Sequence, residues 1–205
     1  TLFRSLHSQL RVLLVYIGFQ GAARPNHLDL GTAEFIVAEL DRSKTELERP
    51  RNMILERLSH IVKCSFKSDM ISVKSYGSFQ TKLLTPFSDV DVAIQGCQHI
   101  ERSKAIQMLE TLAFNLRLCP FISKTQTILS ASVPILKFEA DPSMAYEEFE
   151  TFGRSLQLKF DIIIELNEEF NQVNTAIRTT DFIDRCVAFY PSFFSNVLAL
   201  KFALN

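Results

Sequence analysis

Asp89-Val90-Asp91 carries two carboxylates two positions apart, and Gly77-Ser78 precedes them by a spacer of ten residues, 79–88. Val90, Val92 and Ile94 alternate with other positions, so the stretch reads as a strand with one buried face. Side chains two apart on a strand project to the same side, roughly 6–7 Å from each other along the chain. Asp89 and Asp91 then share a polar face. Paired carboxylates of this kind can hold two divalent cations roughly 3.5–4 Å apart, and hard oxygen ligands select Mg²⁺ or Mn²⁺ over zinc. Gly77 lets a backbone approach a phosphate closely, while Ser78 offers a hydroxyl and an N–H. If the pair opens a short helix, its N-terminus adds a field that favours anions. The chemistry indicated is reaction at a phosphate.

A hydroxyl nucleophile beside a metal calls for a third carboxylate. Asp161 alternates out of Leu158, Phe160, Ile162 and Ile164 onto the polar face of another strand, which it shares with Lys159 and Glu165. Other chemistries find no support. The four histidines, His7, His27, His60 and His99, fall in no ligand spacing, and there is no Ser-His-Asp arrangement or P-loop. Cys64, Cys97, Cys119 and Cys186 contain no C-x-x-C pair, which argues against zinc and a disulfide framework and suits a reducing compartment.

The elements that must position these groups can be read from periodicity. Residues 29–66 are helical, with Leu47, Ile54, Leu58 and Phe66 at three- and four-residue steps and Pro50 near the start of a second helix. A strand over about Met70–Tyr76 runs into Gly77-Ser78, and the second strand carries Asp89 and Asp91. A covering helix through Ile106, Leu109, Leu112 and Leu116 stops at Pro120. Phe121–Leu129 and Val133–Glu139 read as two more strands, Glu139–Ser155 as a loop or helical insertion, and Leu158–Ile164 as a fifth strand. Helical spacing returns at Val173, Ile177, Ile183 and Val187, and a last apolar helix covers Phe194–Leu204. Helices, a strand group with one crossover helix, then helices: the class is α+β with a mixed five-stranded sheet and packed helices.

Ser88-Asp89-Val90-Asp91-Val92-Ala93-Ile94 after Gly77-Ser78 resembles the signature of the DNA polymerase β superfamily of nucleotidyltransferases. Val133-Pro134-Ile135-Leu136-Lys137-Phe138 is similar to the strand before the third aspartate in the noncanonical poly(A) polymerases and terminal uridylyltransferases, and Asp161-Ile162 matches the strand that bears it. The resemblance covers about residues 29–205 and implies a nucleotidyltransferase fold. It places Asp89, Asp91 and Asp161 as catalytic, metal-holding residues and Gly77 and Ser78 at the triphosphate. Asn174 and Thr180 fall near the ribose, and Lys201, in Leu198-Ala199-Leu200-Lys201-Phe202, near the triphosphate. A helix-capping role suits Asn174 and Thr180 equally, and a solvated helix position suits Lys201. The chain departs from the family in a longer segment between Phe138 and Asp161, and the second triphosphate lysine would fall at Asn205.

The expected activity is template-independent addition of ribonucleotides, AMP first and UMP as the alternative, to RNA 3′ ends with release of pyrophosphate. An inactive scaffold keeping the fold is the non-enzymatic reading, although it has no need to keep three carboxylates that repel one another. The expected partners are the RNA 3′ end and a nucleoside triphosphate, ATP or UTP, but no membrane. A formal net charge of −1 gives no basic field for gripping a long RNA, so the contact is brief or an RNA-binding protein supplies it.

The expected organisation is a poorly ordered leader over 1–28, a catalytic palm-like domain over 29–170, and the beginning of a helical central domain over 171–205. The leader has no acid before Asp29 and carries Arg4, Arg11 and Arg24, as organelle transit peptides do. Its apolar run Val12–Phe19 is far short of the ~20 residues of a membrane span. The expected location is nuclear or cytoplasmic, with a mitochondrial alternative.

Overall fold

The structure, a computed structural model, describes residues 30–68, 70–85, 88–97, 100–147, 156–165 and 175–190, with Phe193, Val197 and Lys201 besides. By internal contacts the chain divides into two compact units, 1–39 and 40–205, and the sheet lies in the second. Helix α1 spans Leu30–Phe66. Its buried stripe is Leu47, Arg51, Ile54, Leu58 and Val62, the three- and four-residue steps that turn one side of a helix inward. Where the sequence suggested a second helix opening near Pro50, one helix runs through it. An interior proline removes one backbone hydrogen bond and crowds the preceding turn; burial of Leu47 and Ile54 on either side of it offsets that cost.

Strands β1 (Ser72–Tyr76), β2 (Val90–Gln95), β3 (Ile122–Ile128), β4 (Ile135–Ala140) and β5 (Leu158–Ile164) form one sheet in the order β1-β2-β5-β4-β3. β2 and β5 are parallel and every other pair is antiparallel, so the sheet is mixed as expected. Between the strands lie α2 (Gly77–Gln80), α3 (Arg102–Arg117) and α4 (Pro142–Ala145), and α5 (Thr175–Phe189) follows β5. One sheet face is apolar along β2, β4 and β5: Val90, Val92, Ile94, Leu136, Phe160 and Ile162 are all 0% exposed. Phe138 and Phe160 stack on it with ring centroids 4.8 Å apart. α3 contacts β3, β4 and β5 and buries Leu109, Leu112, Ala113 and Leu116, the covering role its periodicity indicated.

The acidic stretch after β4 holds α4, a single turn with Pro142 at its start and Asp141 as its cap, the carboxylate accepting from the Ser143 N–H at 2.9 Å. Asx-type capping before a proline is the usual way to open such a turn. Residues 148–155 and most of the expected final helix lie outside the described residues, although Phe193, Val197 and Lys201 are helical. Among the described residues no helix is long and apolar enough to cross a membrane.

Candidate active site

The second face of the sheet changes character row by row. Its lowest row, Ala93 and Ile163 opposite each other with Ile135 beside them, is apolar and packs with Tyr76 and with Ile177 of α5. Two residues further along, strand register aligns Tyr76 with Asp91, Asp91 with Asp161, and Asp161 with Lys137. The next row aligns Lys159 with Glu139 and Glu139 with Lys124. Asp91 and Asp161 therefore meet because two parallel strands bring them level, at the boundary between core and solvent. Asp89 immediately precedes β2 rather than lying within it, and it lines an open groove of about 220 Å³ with Asp161, Lys137, Gln126, Lys124 and Lys159.

Charge is crowded here. Burial, then Asp161 and Asp89, push the Asp91 carboxyl up to about 6, against the opposing pull of Lys201 and Lys137. Burial and the same two strand carboxylates, Asp91 and Asp161, raise the Tyr76 phenol well above its ordinary range. Asp161 is paired with Lys137, whose Nζ donates to Oδ2. The sequence reading did not single out Lys137 as a site residue. Alternation out of Leu136 and Phe138 was a usable signal for its face, but its register against Asp161 was not visible. Among the described residues no three His, Cys, Asp or Glu side chains converge into a closed ligand set; the carboxylates repel one another, and Asp161 turns to its lysine.

Gly77 opens α2 with φ +65 and sits against Asp91, where a Cβ would run into Oδ2. Only glycine occupies that backbone region without strain, and only glycine fits the space. Its N–H donates to Thr180 Oγ1 at 2.8 Å, and its carbonyl accepts from the Thr81 N–H at 3.1 Å and from Thr81 Oγ1 at 3.2 Å. Thr180 is 3% exposed on α5, so one of its roles is to fix the turn that faces Asp91. Ser78 is half-buried beside it. Lys201 is half-buried too. Its Nζ donates to the Leu83 carbonyl at 3.0 Å, and burial lowers its pKa while Asp91 raises it. Asn174 lies outside the described residues.

A mixed sheet with a glycine-serine turn and carboxylates level on two adjacent inner strands defines a nucleotidyltransferase-type palm domain. Residues 36–184 match the family described as poly(A) RNA polymerase, mitochondrial-like, central palm domain, and the chain belongs to that family. It is 40% identical over 94 residues to the poly(A) RNA polymerase cid14 of Schizosaccharomyces pombe, a match covering 46% of this chain and 14% of that protein. Among solved structures it resembles the Cid1 poly(U) polymerase with MgGTP bound, at TM-score 0.60 and 17% identity over 83% of this chain and 46% of that one. It also resembles mtPAP in complex with GTP, at TM-score 0.58 and 19% identity over 76% and 32%. The chain thus spans less than half the length of each of these relatives.

Proposed function

We propose that the protein adds ribonucleotides, AMP in the first instance, to RNA 3′ ends without a template, by two-metal-ion catalysis. The observation that carries this is the level placement of Asp91 and Asp161 on adjacent parallel strands, with Asp89 and Asp161 lining one groove. The donor set suits Mg²⁺ or Mn²⁺: all three donors are carboxylates, and the pKa of Asp91 is raised by burial first and then by the neighbouring Asp161 and Asp89, whose repulsion a cation relieves. When bound, the ions supply Lewis-acid stabilisation of charge on the entering and leaving oxygens. Asp89 and Asp91 would hold them, and Asp161 would complete the set and accept the proton of the 3′-hydroxyl. That oxygen forms the new bond to the α-phosphorus, the α–β phosphoanhydride breaks, and pyrophosphate leaves.

The chain's other residues position the reactants. Gly77 and Ser78 face the triphosphate, with Lys201 beside them and Thr180 holding the Gly77 turn in place. Asn174 is assigned to the ribose. Lys137 pairs with Asp161 and orients it, and the groove lined by Lys124, Gln126 and Lys159 receives the RNA end. An RNA-binding protein partner compensates for the weak overall charge.

AMP rather than UMP follows the poly(A) polymerases among the relatives. The test incubates the protein with a short RNA primer, Mg²⁺ or Mn²⁺, and each of the four ribonucleotides separately. Extension with ATP is expected, extension with UTP alone would reassign the base, and no extension with any of them would leave a scaffold.

A further inference from the structure

Arg51 stands at a core position. It lies on the stripe Leu47, Arg51, Ile54, Leu58 and Val62 of α1 and is 2% exposed. A charge is kept at such a place only with specific partners. Its Nη2 donates to the Ser88 carbonyl at 3.2 Å and to the Thr85 carbonyl at 3.4 Å. Those two residues close a turn on each other: the Thr85 N–H donates to Ser88 Oγ at 2.9 Å, and the Ser88 N–H donates to the Thr85 carbonyl at 3.1 Å. Asp89 is the next residue, and it acts electrostatically on the guanidinium.

From this geometry we infer that Arg51 is a positioning residue for the metal site, fixing through the 85–88 turn the place from which Asp89 presents its carboxylate. The inference rests on the metal-site reading above. Nothing in β2 itself can set Asp89, because the strand begins one residue later. One guanidinium nitrogen, Nη2, reaches both carbonyls, and the rigid planar group holds it there with less loss of side-chain freedom than a lysine ammonium on a flexible stem. Ligand-orienting groups outside the first set of contacts typically change metal affinity by roughly 10–100-fold when removed.

The test is Mn²⁺ binding to the purified protein, followed by the loss of the free-ion paramagnetic resonance signal, with the melting temperature of each variant measured alongside. Arg51→Met is expected to weaken the Asp91-dependent site at least about tenfold at temperatures where the variant is folded, and Arg51→Lys to recover part of the loss. Ser88→Ala, which removes one closure of the turn without touching the helix, is expected to weaken it about threefold, and it carries the test should Arg51→Met fail to fold. Wild-type Mn²⁺ affinity in folded Arg51→Met, or in Ser88→Ala if the former does not fold, would overturn the inference alone. Asp91→Asn serves as the control. If it binds Mn²⁺ as the wild type does, the metal-site reading falls and takes this inference with it.

Discussion

On one face of β2 and β5, Val90, Val92, Ile94, Phe160 and Ile162 are sealed from solvent. On the opposite face the same strands bring Asp91 and Asp161 level, and add Asp89 just before β2 begins. The first arrangement is what stability favours: apolar area removed from water, at roughly 25 cal/mol per Å². The second opposes stability, since like charges at the edge of a low-dielectric core raise the free energy of the folded state. Two strands thus serve opposite ends, and the alternation of a pleated strand keeps them apart.

The largest expected effect comes from removing one charge on the polar face. Asp91→Asn should lower nucleotide addition by roughly 10³-fold or more, because charge stabilisation at the transferring phosphate is lost, while the circular dichroism spectrum stays that of a folded protein. Collapse of the fold instead would show that the two faces are not separable.

On the apolar face the reverse is expected. Phe160→Ala leaves a cavity beneath the stacked Phe138 ring and should cost about 3–5 kcal/mol in denaturant unfolding. Nucleotide affinity in the fraction that remains folded should be little changed. Gly77→Ala lies between the two. It forces a side chain into Asp91 Oδ2 at φ +65 and should cost about 1–3 kcal/mol, with a roughly 10–100-fold loss of activity, since a displacement of about 1 Å is enough to misalign reactants. Activity equal to wild type would detach the glycine turn from the site.

The smallest effect is a pH-dependent gain in stability. The Asp91 carboxyl is raised to about 6 in the folded protein from an ordinary 3.8, so the folded state holds this proton more tightly than the unfolded one. The resulting stabilisation is full below the unfolded pKa and is lost as pH rises through about 6. Asp91→Asn should therefore match the wild type in thermal unfolding near pH 4 and exceed it above pH 7, with divalent cations withheld from both. Discounted for the partial exposure of the group, the gain is about 1 kcal/mol, or roughly 2–4 °C. A variant less stable than wild type at high pH would mean that Asp91 is held by favourable contacts rather than strained by its neighbours.

Much of this arrangement was legible in the sequence, and the reasons are local. β5 shows itself at both ends because Leu158, Phe160, Ile162 and Ile164 alternate without a break, and α3 because its apolar residues keep the helical period up to Pro120. Gly77-Ser78 was readable together with Asp89 and Asp91 because the spacing between them matches the nucleotidyltransferase signature, each pair standing next to a recognisable strand. What stayed hidden depends on register. Lys137 could be assigned a face by alternation, but its pairing with Asp161 requires knowing that β4 lies antiparallel beside β5 at that offset. Arg51 sits on the same helical period as Leu47, Ile54 and Leu58, yet a single charge on such a stripe normally marks its edge. The carbonyls of Thr85 and Ser88 that it reaches lie more than thirty residues away in the sequence. Pro50 misled in the opposite direction, since a proline with strong apolar neighbours on both sides can sit inside a helix.

The positions at which divalent cations bind decide the chemistry most directly. Crystals of the protein grown with Mn²⁺ and a non-hydrolysable ribonucleoside triphosphate, with data collected at the manganese edge, would locate them by anomalous scattering. The account predicts two peaks roughly 3.5–4 Å apart, ligated by Asp89 and Asp91, with Asp161 released from Lys137 to join the one on the primer side. Nucleotide bound at Gly77-Ser78 with no manganese peak at these carboxylates, or with Asp161 still held by Lys137 and manganese elsewhere, would contradict it.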